Sequence, residues 1–210
     1  MIGLLFLLTA ALSFSVAQAF ELPANSTLIV EEDFSADTMP KGWSIQTGSW
    51  KAKDGVLHGA EIEADHHAAA ARRLVATGDA VYEFTFRISA ETKAFHFGFD
   101  PARGELDKKG HLFSIIVTPT DWRLLKHLDK NKPEEDPNEI LATTQHNFEP
   151  GQWYHLRVTT RGPTVKAMIE GLEPLTGMHP SFAVRKPTLV FRAVGTGVEI
   201  DDIRVWEPTE

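Results

Sequence analysis

Residues 81–88, "VYEFTFRI", and residues 95–99, "FHFGF", decide the fold class. In the first, Tyr82, Phe84, Phe86 and Ile88 occupy alternate positions, with Glu83, Thr85 and Arg87 between them. In the second, Phe95, Phe97 and Phe99 alternate with His96 and Gly98. A strand sends successive side chains to opposite faces, so each segment reads as a strand with an aromatic face and a second, more polar one. No stretch of the chain shows a long helical period of 3.6 residues.

The same alternation continues on both sides of these two segments. Upstream, "GSWKAKDGVLHG" (residues 48–59) holds two short runs around Asp54-Gly55. That dipeptide suits a type I′ turn, which needs positive φ at both central residues, and it predicts a hairpin. Its register sets Ala52 opposite Leu57 and Trp50 opposite Gly59, with Lys51 and His58 on the other face. Downstream, "HLFSIIVTP" (111–119), "WRLLKHL" (122–128), "WYHLRVTT" (153–160), "TVKAMIE" (164–170), "TLVFRAV" (188–194) and "VEIDDIRVW" (198–206) are further strand candidates bounded by turn residues. Two polar insertions, "DPARGELDKKG" (100–110) and "DKNKPEEDPNE" (129–139), read as exposed loops, either connecting or functional. Many strands without a covering helix predict an all-β fold of two antiparallel sheets packed face to face, with a closed barrel as the alternative. "HHAAAARRL" (66–74) resists the pattern, because alanine is a poor strand former; its neighbours favour strand over a helical turn.

Residues 1–19, ending in Ala17-Gln18-Ala19, form a short apolar run with the small-x-small end of a secretory signal, although no Lys or Arg precedes it. The expectation is a secreted or periplasmic protein whose residues 20–210 form one domain, with no second apolar run to span a membrane. Cysteine is absent, which excludes disulfides, thiol catalysis and cysteine-zinc sites, so stability must come from a core. With 21 basic and 29 acidic residues, the net charge of -8 disfavours nucleic acid and anionic membrane surfaces as partners. A neutral ligand suits it better.

Three landmarks in order, "EEDFSADTMPKGWSIQTGSWKAKDGVLHG" (31–59), "FEPGQWYHLRVTTRG" (148–162) and "VEIDDIRVW", together resemble the secreted 3-keto-disaccharide hydrolase domain family of the concanavalin A-like lectin/glucanase superfamily. The pieces "DHHAA" and "KKGHL" look like a particular secreted branch of it. The resemblance implies a jelly-roll sandwich, carbohydrate as the ligand class, and either a hydrolase or a non-catalytic lectin-like module that binds glycan or protein.

Several residue groups are candidates for a site. Glu61, Glu63 and Asp65 would share one face of a strand, which resembles the acid triad of family 16 glycoside hydrolases, but the order of acid types differs. Adjacent histidines on a strand face opposite ways, so only one of His66 and His67 can serve; His67 shares parity with Arg73. His96 lies opposite the phenylalanine face, Asp100 keeps its parity at the strand end, and His111 begins the next strand. The expectation is that His67, His96, Asp100 and His111 converge on one polar face as catalytic groups, with sugar binding by hydrogen bonds and, least of the three, metal binding as the other uses of such a group, and with Arg73 and Arg123 binding substrate. Solvated surface histidines are the plain alternative. Trp122, beside Asp121 and Arg123, is the candidate platform for stacking a sugar ring, while Trp43, Trp50, Trp153 and Trp206 read as core. The resemblance to sandwiches whose termini are tethered by calcium makes Asp33 and Asp201 candidate metal ligands, against a backbone-capping role.

Overall fold

A computed structural model describes residues 25–209. The leader assigned to residues 1–19 lies outside the described residues. The strands in chain order are β1 (Ser26–Glu32), β2 (Trp43–Thr47), β3 (Ser49–Lys53), β4 (Val56–Ala60), β5 (Ala69–Thr77), β6 (Ala80–Arg87), β7 (Thr92–Phe99), β8 (Phe113–Val117), β9 (Asp121–Lys126), β10 (Glu139–Gln145), β11 (Tyr154–Arg161), β12 (Thr164–Ile169), β13 (Leu175–Met178), β14 (Lys186–Gly195) and β15 (Val198–Pro208). One sheet has the order β13-β12-β11-β6-β15-β4-β3, with β1 also pairing β15; the other runs β10-β9-β8-β7-β14-β5-β2. Every pairing is antiparallel. The architecture is the expected all-β, two-sheet sandwich.

The segments 81–88 and 95–99 lie on opposite sheets and face each other. Tyr82, Phe84 and Phe86 of β6 meet Phe95, Phe97 and Phe99 of β7, with Phe84 and Phe97 edge to face at 4.8 Å and Tyr82 and Phe99 also at 4.8 Å. Phe191 of β14 completes the cluster, 5.2 Å from Phe97. All are buried. Period-two alternation therefore does what it predicts: one set of rings fills the middle and leaves the other face of each strand for other uses. The hairpin joining β3 and β4 has the predicted register, with φ of 53° at Asp54 and 74° at Gly55.

The alanine-rich segment is a strand, and its composition has a packing reason. Ala69 and Ala71 of β5 are fully buried opposite Ala193 and Phe191, so small side chains leave room for the phenyl ring. The residues before it depart from a simple strand. Glu63–Asp65 form a 3₁₀ turn, and His66 closes it with φ of 47°. Glu61, Glu63 and Asp65 consequently do not line one face of a strand. The Asp65 carboxylate instead accepts the Gly48 N–H at 2.5 Å.

The loops of residues 100–110 and 129–139 interlock beside the second sheet. The Lys130 N–H reaches the Lys109 carbonyl at 2.9 Å, and Asp129 accepts the Lys109 N–H at 3.0 Å. Lys108 and Lys126 both hold the Asp136 carboxylate.

Candidate functional site

The outward face of the second sheet follows from its core face. Because Phe95, Phe97 and Phe99 point inward, His96 and Gly98 point outward; because Leu189, Phe191 and Ala193 point inward, Arg192 points outward. Register then assembles a row across four neighbouring strands, with Arg192 of β14 opposite His96, His96 opposite Ile116, and Ile116 opposite Arg123 of β9. One step along, Arg72 of β5 lies opposite Val190, Val190 opposite Gly98, and Gly98 opposite Ser114.

The end of β7 and the two loops close this face into a cleft of about 600 Å³, within the usual size of a small-molecule site. Its lining includes His67, Arg72, Asp100, His111, His127 and Arg192. Asp100 is the hub. One oxygen receives the Arg72 Nε–H at 3.0 Å and the other receives the His111 Nδ1–H at 2.5 Å. Burial pushes the Asp100 carboxyl up, but the hydrogen bonds and charges of His111 and Arg72 together hold it below the ordinary aspartate value. An ionised carboxylate only accepts, so Nδ1 of His111 carries a proton toward Asp100, and Nε2 is the ring nitrogen that Asp100 leaves unengaged.

Two further imidazoles stay neutral beneath this pair. Burial, then the charges of Arg192, Arg123 and His111, push His96 down to about 4; its Nδ1 is buried without a hydrogen-bond partner. Burial, then His111, His96, Arg192 and Lys108, push His127 down to about 3, while its Nε2 pairs with Ser114 Oγ at 2.8 Å. The rings of His111 and His127 are 5.3 Å apart.

Of the residues singled out from sequence, His67, Asp100 and His111 come together in the lining, and His96 lies beside Arg192 on the same face. Arg73 does not join them. It turns toward the sandwich edge and pairs with the buried Glu32, which also receives the Trp43 indole N–H, so Arg72 holds the cleft position instead. The parity that linked His67 to Arg73 fails because His67 lies in a bend ahead of β5, while within β5 Arg73 shares the parity of the core-facing Ala69 and Ala71. Arg123 is on the outward face but three strands along from Arg192, and it lies 3.7 Å from Asp121. Trp122 is a correction: it is 0% exposed on the core side of β9, so its ring has no free face on which a sugar can stack.

Asp33 and Asp201 each accept a backbone N–H, and the Asp33 charge acts on Asp201. Asp33 accepts the Ser35 N–H at 3.0 Å and Asp201 the Asp202 N–H at 2.7 Å. Among the described residues no group of three or more His, Asp or Glu side chains is arranged to hold one metal ion, so the side chains here do not build a calcium shell of six or more oxygens. Both carboxylates cap backbone.

His127 and Arg192 were legible yet missed. In "WRLLKHL", Trp122 and Leu124 inward place Arg123, Leu125 and His127 outward by the same alternation. Gln46, Thr47 and Asn138, which join the lining from β2 and a loop, carry no such signal.

No protein-family model and no curated protein matches the chain. Similar folds are found among solved structures. The carbohydrate-binding module CBM66 from Bacillus subtilis is 14% identical with a TM-score of 0.62, covering 81% of this chain and 97% of that one. A variant of LamA from Z. galactanivorans, in complex with laminaritriose and laminaritetraose, is 12% identical with a TM-score of 0.66, covering 88% and 100%. A mutant of SCLam, a non-specific endo-beta-1,3(4)-glucanase of family GH16, is 11% identical with a TM-score of 0.68, covering 89% and 96%. At these identities the likeness is one of fold, the jelly-roll sandwich, and that fold serves both a binding module and a glucanase.

Proposed function

We propose that this protein is a secreted carbohydrate-active domain that seats a saccharide in the cleft on the outward face of its second sheet, with His111 as general base. The observation that carries the reading is the convergence of Asp100, His111, Arg72, Arg192, His67 and His127 on one cleft from β5, β14 and the segments that flank the strands. A carboxylate that orients a histidine leaves the far ring nitrogen to take a proton from water or substrate. Arginine and histidine supply hydrogen bonds to sugar hydroxyls, and the fold neighbours include a carbohydrate-binding module and a glucanase. The apolar leader of residues 1–19 supports secretion. Hydrolysis of 3-keto-disaccharides is the finer form of the reading, supported by the landmark motifs.

A specific observation favours a second reading, a non-catalytic binding module. Glycosidases commonly work with two carboxyls, and Asp100 is the one carboxylate in the lining, already engaged by Arg72 and His111. Incubation with oligosaccharides and 3-keto-disaccharides, followed by mass spectrometry, separates the two. New products that disappear in His111→Ala support the enzyme. Binding without products supports the module, and neither binding nor products contradicts both.

A further inference from the structure

Arginine pairing is uneven in this molecule. Arg72, Arg73, Arg87, Arg123, Arg157 and Arg204 each have a carboxylate within ion-pair distance: Asp100, Glu32, Glu199, Asp121, Glu83 and Glu31 respectively. Arg103, Arg161 and Arg185 are exposed and need none. Arg192 is different: it is half-buried in the floor of the cleft, yet no carboxylate of the described residues lies within 4.0 Å of it. A guanidinium taken partly out of water without a close counter-charge is unfavourable to folding, and a chain with 29 acidic residues had ample means to supply one. Burial and the Arg72 charge both act against the cation at Arg192, and only Asp100, outside ion-pair distance, favours it.

The surroundings of Arg192 repeat the imbalance. Among the residues that line the cleft, Arg72, Arg192 and Lys130 are cationic and Asp100 alone is anionic. The cleft is thus a positive region on a protein whose net charge is -8. A cleft lined by one sign of charge with low-dielectric walls concentrates ligands of the other sign. Arginine's planar fork also matches the paired oxygens of a carboxylate or sulfate better than it matches a lone hydroxyl.

Resting on the carbohydrate reading of this cleft, we propose that its ligand is an acidic saccharide, one bearing a carboxylate or sulfate group that pairs with Arg192. Sequence alone pointed to a neutral ligand because net charge averages over the whole surface; the local charge at the cleft has the opposite sign. The residue serves as an anchor for the ligand's charge, leaving Asp100 and His111 beside the sugar ring.

The test is calorimetric titration of the full mature chain with uronate and sulfated oligosaccharides, each paired with its methyl-esterified or desulfated form. Wild-type protein is expected to bind at least one acidic form about tenfold or more tightly than its neutralised partner, with the preference shrinking at high salt. Which pair shows the preference tells carboxylate from sulfate. Arg192→Gln is expected to erase the preference and Arg192→Lys to retain part of it, both at wild-type unfolding temperature or above. Equal binding of acidic and neutralised forms overturns the proposal while leaving the carbohydrate reading intact. Retention of the preference in Arg192→Gln overturns the role of Arg192. Failure of every saccharide to bind contradicts the underlying carbohydrate reading as well.

Discussion

Asp100 and His111 are joined by a 2.5 Å hydrogen bond between residues that stand at opposite ends of the loop linking β7 to β8. The second oxygen of Asp100 reaches Arg72 on β5, so one carboxylate fixes a loop end to a strand two places away in the sheet. Asp100→Asn keeps the shape but loses the charge. Its expected effects are a loss of about 1.5–3 kcal/mol of stability, from weakening hydrogen bonds to charged groups, and a fall in any turnover that matches His111→Ala. Denaturant unfolding together with product assay of both variants checks this; full activity in Asp100→Asn contradicts the pairing role.

Stability should fall on mild acidification, with a sign set by His96 and His127. Unfolded, each titrates near 6.5; folded, they are pushed down to about 4 and about 3. Between those limits the unfolded chain binds protons that the folded chain does not. Stability is therefore complete above about pH 6.5 and is lost as pH falls, at up to about 1.4 kcal/mol per pH unit for each histidine. Asp100, whose folded value is depressed, adds a further loss only below about pH 4. Urea midpoints measured down this range should slope, and His127→Gln should flatten part of the slope; a level profile contradicts the neutral, buried imidazoles.

Trp122 sits at the core, so its substitution should separate folding from binding. Trp122→Ala is expected to cost about 3–5 kcal/mol, as truncation of a buried aromatic does. Trp122→Phe should retain saccharide binding with a smaller loss of stability. Loss of binding in Trp122→Phe with stability unchanged would return the ring to a ligand-contacting role.

Gly98 is outward-facing, yet a methyl group there would meet Ser114 Oγ and lie 2.9 Å from the Phe113 carbonyl oxygen. Ser114 Oγ is the partner of His127. Gly98→Ala should therefore destabilise by about 1–3 kcal/mol, the usual range for forcing extra volume into a packed site, and disturb the floor of the cleft. Its effect should vanish in part when combined with Ser114→Ala, as a double-mutant cycle would show.

The fold was legible because both layers are written in period two: Tyr82, Phe84 and Phe86 against Phe95, Phe97 and Phe99 is a pattern that stacked sheets bury. The hairpin at Asp54-Gly55 was legible because its turn demands positive φ. Half of the site followed from the same alternation, since His96 and Asp100 must face away from the phenylalanines. The rest depended on non-local facts. Arg72 rather than Arg73 enters the cleft because Arg73 shares the parity of Ala69 and Ala71, which face the core beside Phe191 and Ala193 of the distant β14. Trp122 has polar neighbours in sequence, Asp121 and Arg123, but they lie on the opposite face of the strand from its buried ring. The sandwich edge claims Arg73 through Glu32, a residue far away in sequence.

The most direct test of the central claim is a crystal structure of the protein soaked with an oligosaccharide that binds in solution. The account predicts the sugar against His111, Arg72 and Arg192, with its acidic group on the Arg192 guanidinium. A sugar seated instead in the separate groove lined by the exposed Trp153 and by His155, with the cleft free, would contradict it.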